Sequence, residues 1–344
     1  MPKILVTGGT GYIGSHTAVE LIQEGMQVVI LDNLSNSERG VLDGIKAITG
    51  TMPEFEEVDL RMRKDTFGVF EKHPDLDAII HFAALKAVGE SVEKPLEYYE
   101  NNLLSLIHLL EAMKRYPVDH MVFSSSCTVY GEPDRLPVTE NAPVKKAGSP
   151  YGNTKQISEE ILQDTINVLQ GKGVISLRYF NPIGAHPTAL IGELPIGIPN
   201  NLVPFITQTA AGIRDCLKVF GDDYHTPDGS AIRDYINVVD LAKAHVKAIR
   251  RLLDQKQKSA FEVFNLGTGS GLSVFEVIKA FEKSTGQKLN YQVVGRREGD
   301  TEKVWADTSY ANRELGWKAE KGIEESLRSA WKWEKHIRSQ NKDT

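Results

Sequence analysis

The chain has 344 residues, of which 41% are hydrophobic and 25% charged, with a net charge of −6. That size fits one large α/β unit or two domains, and that balance is ordinary for a globular protein. The acidic surplus argues against nonspecific nucleic-acid binding, and no apolar run reaches the roughly 18 residues a membrane span needs. Two cysteines, Cys127 and Cys216, are too few for a disulfide framework and point to a reducing cytoplasm. The start, Met1-Pro2-Lys3-Ile4-Leu5-Val6, runs straight into a strand, and no signal peptide is expected ahead of it.

In chain order, the β-branched run Ile4–Thr7 predicts a buried strand that ends in glycines. A helix is expected from about Ile13 to Gln23, then a second strand at Val28–Leu31, ending at Asp32. Further strands are predicted at Ala78–His81 and Met121–Ser124, with a helix over Leu96–Arg115 between them. Ser149-Pro150 opens another helix with proline in its first turn, and a strand follows at Val174–Arg178. Continuous apolar strands alternating with helices indicate a doubly wound parallel sheet covered on both faces. Residues 182–201 are rich in proline and glycine and read as a long irregular segment. A helix at Val239–Leu253, a strand at Phe261–Asn265 and a helix at Val274–Lys283 come later. The expected division is a cofactor domain over residues 1–180 and a smaller α/β substrate domain over 181–344, some of whose segments return to the main sheet. No internal repeat or low-complexity tract is visible.

Gly8, Gly11 and Gly14 give a GxxGxxG spacing between strand and helix. Glycines there allow a tight turn and a close backbone approach to a pyrophosphate, which would face the free N–H groups of the helix start. The plainer alternative is a tight strand-to-helix turn. Asp32 ends the second strand, where a carboxylate can accept the ribose hydroxyls and repel a 2′-phosphate, so NAD is favoured over NADP. Asp59 is expected near the adenine, or else is a solvated charge at a strand end.

Tyr151 and Lys155 stand four apart and share one helix face. An ammonium and a positively charged nicotinamide would both favour the phenolate and lower its pKa from near 10. A general base nearer neutrality then becomes possible. Such a pair also occurs on many exposed helices, and the glycine loop is what gives it meaning here. Ser126, at the carboxyl end of a parallel strand, can hydrogen-bond a substrate oxygen beside Tyr151. Cys127 reads as a packing residue, and His81 and His186 read as structural, with no metal-ligand cluster in view.

With these residues in place, the chain resembles the UDP-glucose 4-epimerases of the extended short-chain dehydrogenase/reductase family, with a Rossmann-type fold. The likeness is carried by TGGTGYIGSHT from Thr7, LDNLSNS from Leu31, HFAALKAVGESVEKPLEYYENN from His81 and SSSCTVYG from Ser124. SPYGNTK from Ser149, RYFNPIGAHP from Arg178, GIPNNLVPF from Gly197, DGSAIRDYINVVDLA from Asp228, NLGTG from Asn265 and RREGD from Arg296 extend it to nearly the full length.

The resemblance implies a retained NAD and reversible epimerisation at C4 of a UDP-hexose through a transient 4-keto sugar. Tyr151, Lys155 and Ser126 would be catalytic. It implies cofactor contacts from Gly8, Gly11, Tyr12, Ile13, Gly14, Asp32, Asn33, Leu34, Ser35, Asn36, Ser37, Asp59 and Leu60. Phe82, Ala83, Ala84, Leu85, Lys86, Asn101 and Phe180 complete that set together with Tyr151 and Lys155. It implies substrate contacts from Lys86, Ser126, Tyr151, Asn181, Asn201, Leu202, Arg233, Arg297, Asp300 and Val304. Two arginines suit a diphosphate, although Arg233 and Arg297 could instead pair with Asp234 and Glu298, and Lys86 and Asn101 could be ordinary surface polars. Family members are commonly homodimers.

Asn153 departs from the usual residue inside the YxxxK motif, with no loss of chemistry expected. Val304 stands where forms restricted to glucose and galactose carry tyrosine, so room for an N-acetyl group is expected. A 4-epimerase or decarboxylase of UDP-glucuronate, and a non-catalytic NAD sensor, are the alternatives. A 4,6-dehydratase is disfavoured because Ser126-Cys127-Thr128 offers no carboxylate.

Overall fold

A computed structural model describes residues 1–297 and 301–340. Strands and helices alternate strictly at first: β1 (Lys3–Thr7), α1 (Tyr12–Gln23), β2 (Gln27–Asp32), α2 (Val41–Thr49), β3 (Glu54–Glu57), α3 (Arg63–Lys72) and β4 (Ala78–His81). Then come α4 (Val88–Glu93), α5 (Pro95–Arg115), β5 (His120–Ser126), a single 3₁₀ turn at Cys127–Tyr130, α6 (Pro150–Val168) and β6 (Gly173–Tyr179). Helix α6 starts as its sequence requires: Pro150 occupies the first turn and the Ser149 hydroxyl accepts the Gly152 N–H at 3.2 Å.

The second half begins with β7 (Asn181–Ile183), α7 (Leu202–Ala210), β8 (Leu217–Phe220), β9 (Ile232–Arg233), β10 (Tyr235–Asn237) and α8 (Val238–Leu253). It ends with β11 (Phe261–Leu266), β12 (Leu272–Ser273), α9 (Val274–Thr285), β13 (Tyr291–Val294), β14 (Lys303–Val304), α10 (Ser309–Glu314) and α11 (Ile323–Gln340). A full capping box, Ser273 with Glu276, starts α9, and Gly286 closes it at φ +72°.

Seven parallel strands form the main sheet in the order β3-β2-β1-β4-β5-β6-β11. The strand order reverses between β1 and β4, and ligands of open α/β sheets bind at the carboxyl ends beside such a reversal. One apolar layer joins the sheet to α1 and α8 through residues such as Val19, Ile80, Leu241 and Phe264. The other face is covered by α3, α5 and α6 through Phe67, Leu109 and Leu162. Both faces are therefore dry, which is why the strands read as unbroken apolar runs. Strand β11, from the second half, pairs with β6 over six residues, and α8 packs beside α1.

A third cluster, with Val203, Ile206, Leu217, Val277, Phe281 and Leu327 at its heart, holds α7, α9 and α11 around short strand pairs. Those pairs are β7 with β10, β8 with β13, and β9 with β12 and β14. The segment expected to be irregular opens with β7, which runs parallel to β10, and is otherwise loop up to Asn201. Among the described residues, no helix is long and apolar enough to cross a membrane.

Candidate active site

The glycine loop has no room for side chains. A Cβ on Gly14 would lie 2.2 Å from the Gly8 carbonyl oxygen, and one on Gly8, at φ +67°, would lie 2.7 Å from the Ala83 nitrogen. Helix α1 starts at Gly11 with no side-chain cap. The first-turn N–H groups of a helix have no partner within it, and such groups can donate to phosphate oxygens. This bare cradle fits a dinucleotide diphosphate.

Asp32, at the end of β2, is buried. Its carboxylate accepts the Thr10 N–H at 3.2 Å, the Leu34 N–H at 2.9 Å and the Ser37 hydroxyl at 3.2 Å. Leu34 sits at φ +56°, and Asn33 accepts the Ser35 N–H, so residues 33–37 fold around Asp32 as a tight polar turn. Asn36 is exposed in that turn. Asp59 is held by Arg61, whose hydrogen bonds keep its carboxyl below the usual range. The Leu60 side chain is core, and its carbonyl accepts from His108 and Thr66.

On the far side of β1, Phe82 and Ala83 continue β4, with their N–H groups bonded to Thr7. Phe82 also packs on the His245 ring at 4.7 Å. Ala84 and Leu85 follow, and Leu85 is clasped at both backbone groups by the Asn102 amide, which also donates to Thr154 on α6. Asn102 was missed in the sequence because Asn101, beside it, carried the resemblance; Asn101 donates to Asn102. Tyr12 is buried with its hydroxyl on the Gly184 carbonyl, and Ile13 is half-buried beside it. Burial raises the Tyr12 phenol well above its ordinary value. Phe180 lies buried after β6, its N–H on the Leu266 carbonyl.

The catalytic candidates meet where β5 ends against the start of α6. The buried Lys155 ammonium donates to the Ser124 carbonyl at 2.6 Å and lies 5.9 Å from the centre of the Tyr151 ring. Desolvation lowers Lys155 to about 8, with Glu159 opposing the fall. The Ser126 hydroxyl lies near enough to Tyr151 to favour its phenolate, and it accepts the Thr128 N–H at 3.3 Å.

The protein's own groups push the Tyr151 phenol up to about 12. Burial dominates, and only the Ser126 hydroxyl pulls the other way among the groups acting on it. The ammonium is turned toward a carbonyl and does not offset the burial.

The substrate candidates come from the short strands. Asn181 opens β7, its N–H on the Asp234 carbonyl. Asn201 caps α7 and donates to Glu193 at 2.6 Å, and Leu202 is half-buried beside it. Lys86 reaches the same carboxylate at 3.6 Å. Arg233, on β9, donates to the Ile232 carbonyl, and the Asp234 carboxylate is occupied by Thr268, Gly269 and Ala306 N–H groups. Arg233 and Asp234 both act on the half-buried Cys127 thiol, which desolvation pushes up to about 12. Val304 pairs with Arg233 across β14–β9 and packs with Phe180, Val129 and Ala306 behind the Ser126 turn.

Arg297 is exposed, with a terminal nitrogen 3.3 Å from where a Cβ on Gly89 would stand. Asp300 lies outside the described residues. His81 bonds Thr7 at 2.7 Å and His186 bonds Thr188. Among the described residues no cluster suited to a metal is present. Glu193, the shared partner of Lys86 and Asn201, was not singled out in the sequence; its only signal there is its place in the irregular segment.

This sheet, glycine cradle and Ser–Tyr–Lys cluster define a dinucleotide-dependent enzyme of the extended short-chain dehydrogenase/reductase class. A family model described as GDP-mannose 4,6 dehydratase matches residues 5–330. The UDP-glucose 4-epimerase of Bacillus subtilis (strain 168) is 51% identical over 331 residues, 96% of each chain. The chain therefore belongs to the UDP-glucose 4-epimerase family. A crystal structure of the Stenotrophomonas maltophila enzyme with NAD and formylated UDP-arabinopyranose superposes with a TM-score of 0.95 at 48% identity, covering 99% of this chain and all of that one. The Bifidobacterium longum enzyme in complex with NAD+ and UDP gives 0.93 at 46% identity, covering 98% of this chain and 99% of that one.

Proposed function

We propose that this chain is an NAD-dependent UDP-glucose 4-epimerase. The observation that carries the reading is the Ser126–Tyr151–Lys155 cluster, set beside the bare glycine cradle at the switch point of the sheet. When bound, NAD supplies the hydride acceptor and donor for sugar C4 and a positive ring beside Tyr151. The Tyr151 oxygen takes the proton of the sugar 4-hydroxyl as C4 becomes a ketone, and returns it once the sugar presents its other face. Ser126 holds the 4-oxygen. Lys155, already desolvated, is read as the residue that holds the nicotinamide ribose. Burial makes the unassisted phenol a weak acid, so its deprotonation depends on positive charge brought to it.

Arg233, Arg297, Lys86 and Asn201 are read as the grip on the UDP diphosphate, where guanidinium forks match phosphate oxygens. Firm hold of UDP with loose hold of the hexose lets the ketone turn over. The division into a cofactor unit (1–180) and a UDP-sugar unit (181–344) belongs to the same reading, with α8 and β11 lent back to the first.

Valine at 304 leaves a small side chain beside Phe180, which supports acceptance of UDP-N-acetylhexosamines. Dehydration is disfavoured: the turn after Ser126 has no carboxylate, and Asp234 behind it is consumed by backbone donors. A second copy of the chain is the proposed partner. Supporting this, a groove of about 170 Å³ between α5 and α6 is lined by Ile107, Leu110, Ile161 and Leu169. Ile107 is partly exposed there. Two free cysteines suit a cytoplasmic location.

The test is to incubate purified protein with UDP-galactose and UDP-N-acetylgalactosamine without added cofactor and to separate the products. Formation of both gluco epimers supports the whole reading. UDP-galactose turnover alone removes the N-acetyl part. No turnover, with NAD restored, overturns it in favour of UDP-glucuronate enzymes or a sensor.

A further inference from the structure

We propose that Glu159 is a positioning residue: through Ser125 and Arg178 it clamps both flanks of Ser126 and keeps the end of β5 in register with Tyr151 and Lys155. The inference rests on the epimerase reading and adds a residue to its machinery. Glu159 stands one turn beyond Lys155 on α6 and is buried. Its carboxylate accepts four donors: Ser125 Oγ at 2.6 Å, Ser176 Oγ at 2.8 Å, and Arg178 through Nε at 3.0 Å and Nη2 at 2.5 Å.

Arg178, equally buried, spends its other arm on the Tyr130 hydroxyl at 3.0 Å and the Glu140 carbonyl at 3.3 Å. The Tyr130 hydroxyl donates onward to Asn265 on β11 at 2.7 Å.

The geometry is specific to the reacting strand. Ser125 is tied by its hydroxyl to Glu159, one turn further along α6 than the Lys155 that holds the Ser124 carbonyl. Ser124 gives its carbonyl to Lys155, and Ser126 ends the strand beside Tyr151. Past Ser126, the 3₁₀ turn ends at Tyr130, which Arg178 fixes. Ser126 is thus held on both sides by groups that converge on one ion pair. A buried ion pair is a poor device for stability alone, since apolar residues of similar volume often replace it at no cost. Holding a reacting group to within a fraction of an ångström is a use that apolar packing serves less well.

Two serines on the same carboxylate oxygen make the test. Ser125→Ala cuts the link to the reacting strand end; Ser176→Ala cuts an equivalent bond to β6. The full-length protein is assayed with UDP-galactose, with thermal midpoint and retained NAD per chain recorded. Both variants should lose similar thermal stability and keep their NAD. Ser125→Ala should lower kcat about tenfold with KM within about twofold, and Ser176→Ala should keep kcat within about twofold. Equal kcat losses, or an unchanged kcat in Ser125→Ala, would overturn the proposal. Should Ser125→Ala fail to fold, Tyr130→Phe repeats the test from the other flank of Ser126; a fewfold kcat loss supports it and a wild-type kcat overturns it. An inactive wild type in the same assay shows instead that the epimerase reading itself has failed.

Discussion

The two walls of the site are built differently. On one side, Ser126, Tyr151 and Lys155 ride on a seven-stranded sheet and a 19-residue helix, with Lys155 only 4% exposed. On the other, Arg233 and Val304 sit on strands of two residues, while Asn201 and Arg297 are exposed. The proposed reacting groups are set by long-range packing. The proposed gripping groups are set by local pairing and loops. A rigid wall suits proton transfer, whose rate depends steeply on distance, and an adjustable wall suits a substrate that must turn while held.

The contrast breaks first at Tyr151. Tyr151→Phe keeps the packing and removes the proton acceptor, so kcat should fall about 10³-fold with NAD still retained, measured by product separation. On the gripping wall, Arg233→Ala should act mainly on binding. KM for UDP-galactose and the inhibition constant of UDP should both rise about 30-fold, with kcat changed far less. A Tyr151-like collapse of kcat in Arg233→Ala would erase the distinction between the walls. Val304→Tyr sharpens it further: turnover of UDP-N-acetylgalactosamine should fall about tenfold while UDP-galactose stays within about twofold.

The smallest effect lies beneath the rigid wall. His245 packs under Phe82 and Tyr179, and burial lowers it to about 4. An unfolded histidine titrates near 6.5. Between those values the unfolded chain takes up a proton that the native one refuses. The stability His245 contributes is therefore fully present above pH 6.5 and declines as pH falls toward 4, by about 1.4 kcal/mol per unit. His245→Gln should remove that one-proton dependence, seen as a shallower fall of unfolding free energy from pH 6 to 5. His16 and His81, both lowered to about 3 by burial, should keep the rest of the acid sensitivity.

Much of the rigid wall is legible in the chain. Ala78–His81 forms a strand over the residues its apolar run predicts, and Pro95–Arg115 follows the helical spacing of Leu103, Leu106, Ile107 and Leu110, although Ile107 faces outward. Long periodic elements announce themselves because each repeats its burial several times. Strands β9, β12 and β14, of two residues each, have no period to read. The site divides along the same line. Tyr151 and Lys155 are visible because four residues is one helical turn. The Glu159–Arg178 pair joins a helix to a strand 19 residues on, and only the fold brings it together. How the protein's own groups raise the proton affinity of Tyr151 was not legible in the sequence, because charge is written there and burial is not.

Strand β11 pairs with β6 although about eighty residues separate them along the chain. During synthesis, at about 5–20 residues per second, β6 therefore emerges several seconds before the neighbour that covers it. For that interval a nascent chain presents a bare apolar strand edge, the surface on which other chains template aggregation. A chain that stops short of Phe261 is therefore expected to aggregate more readily than one that includes β11.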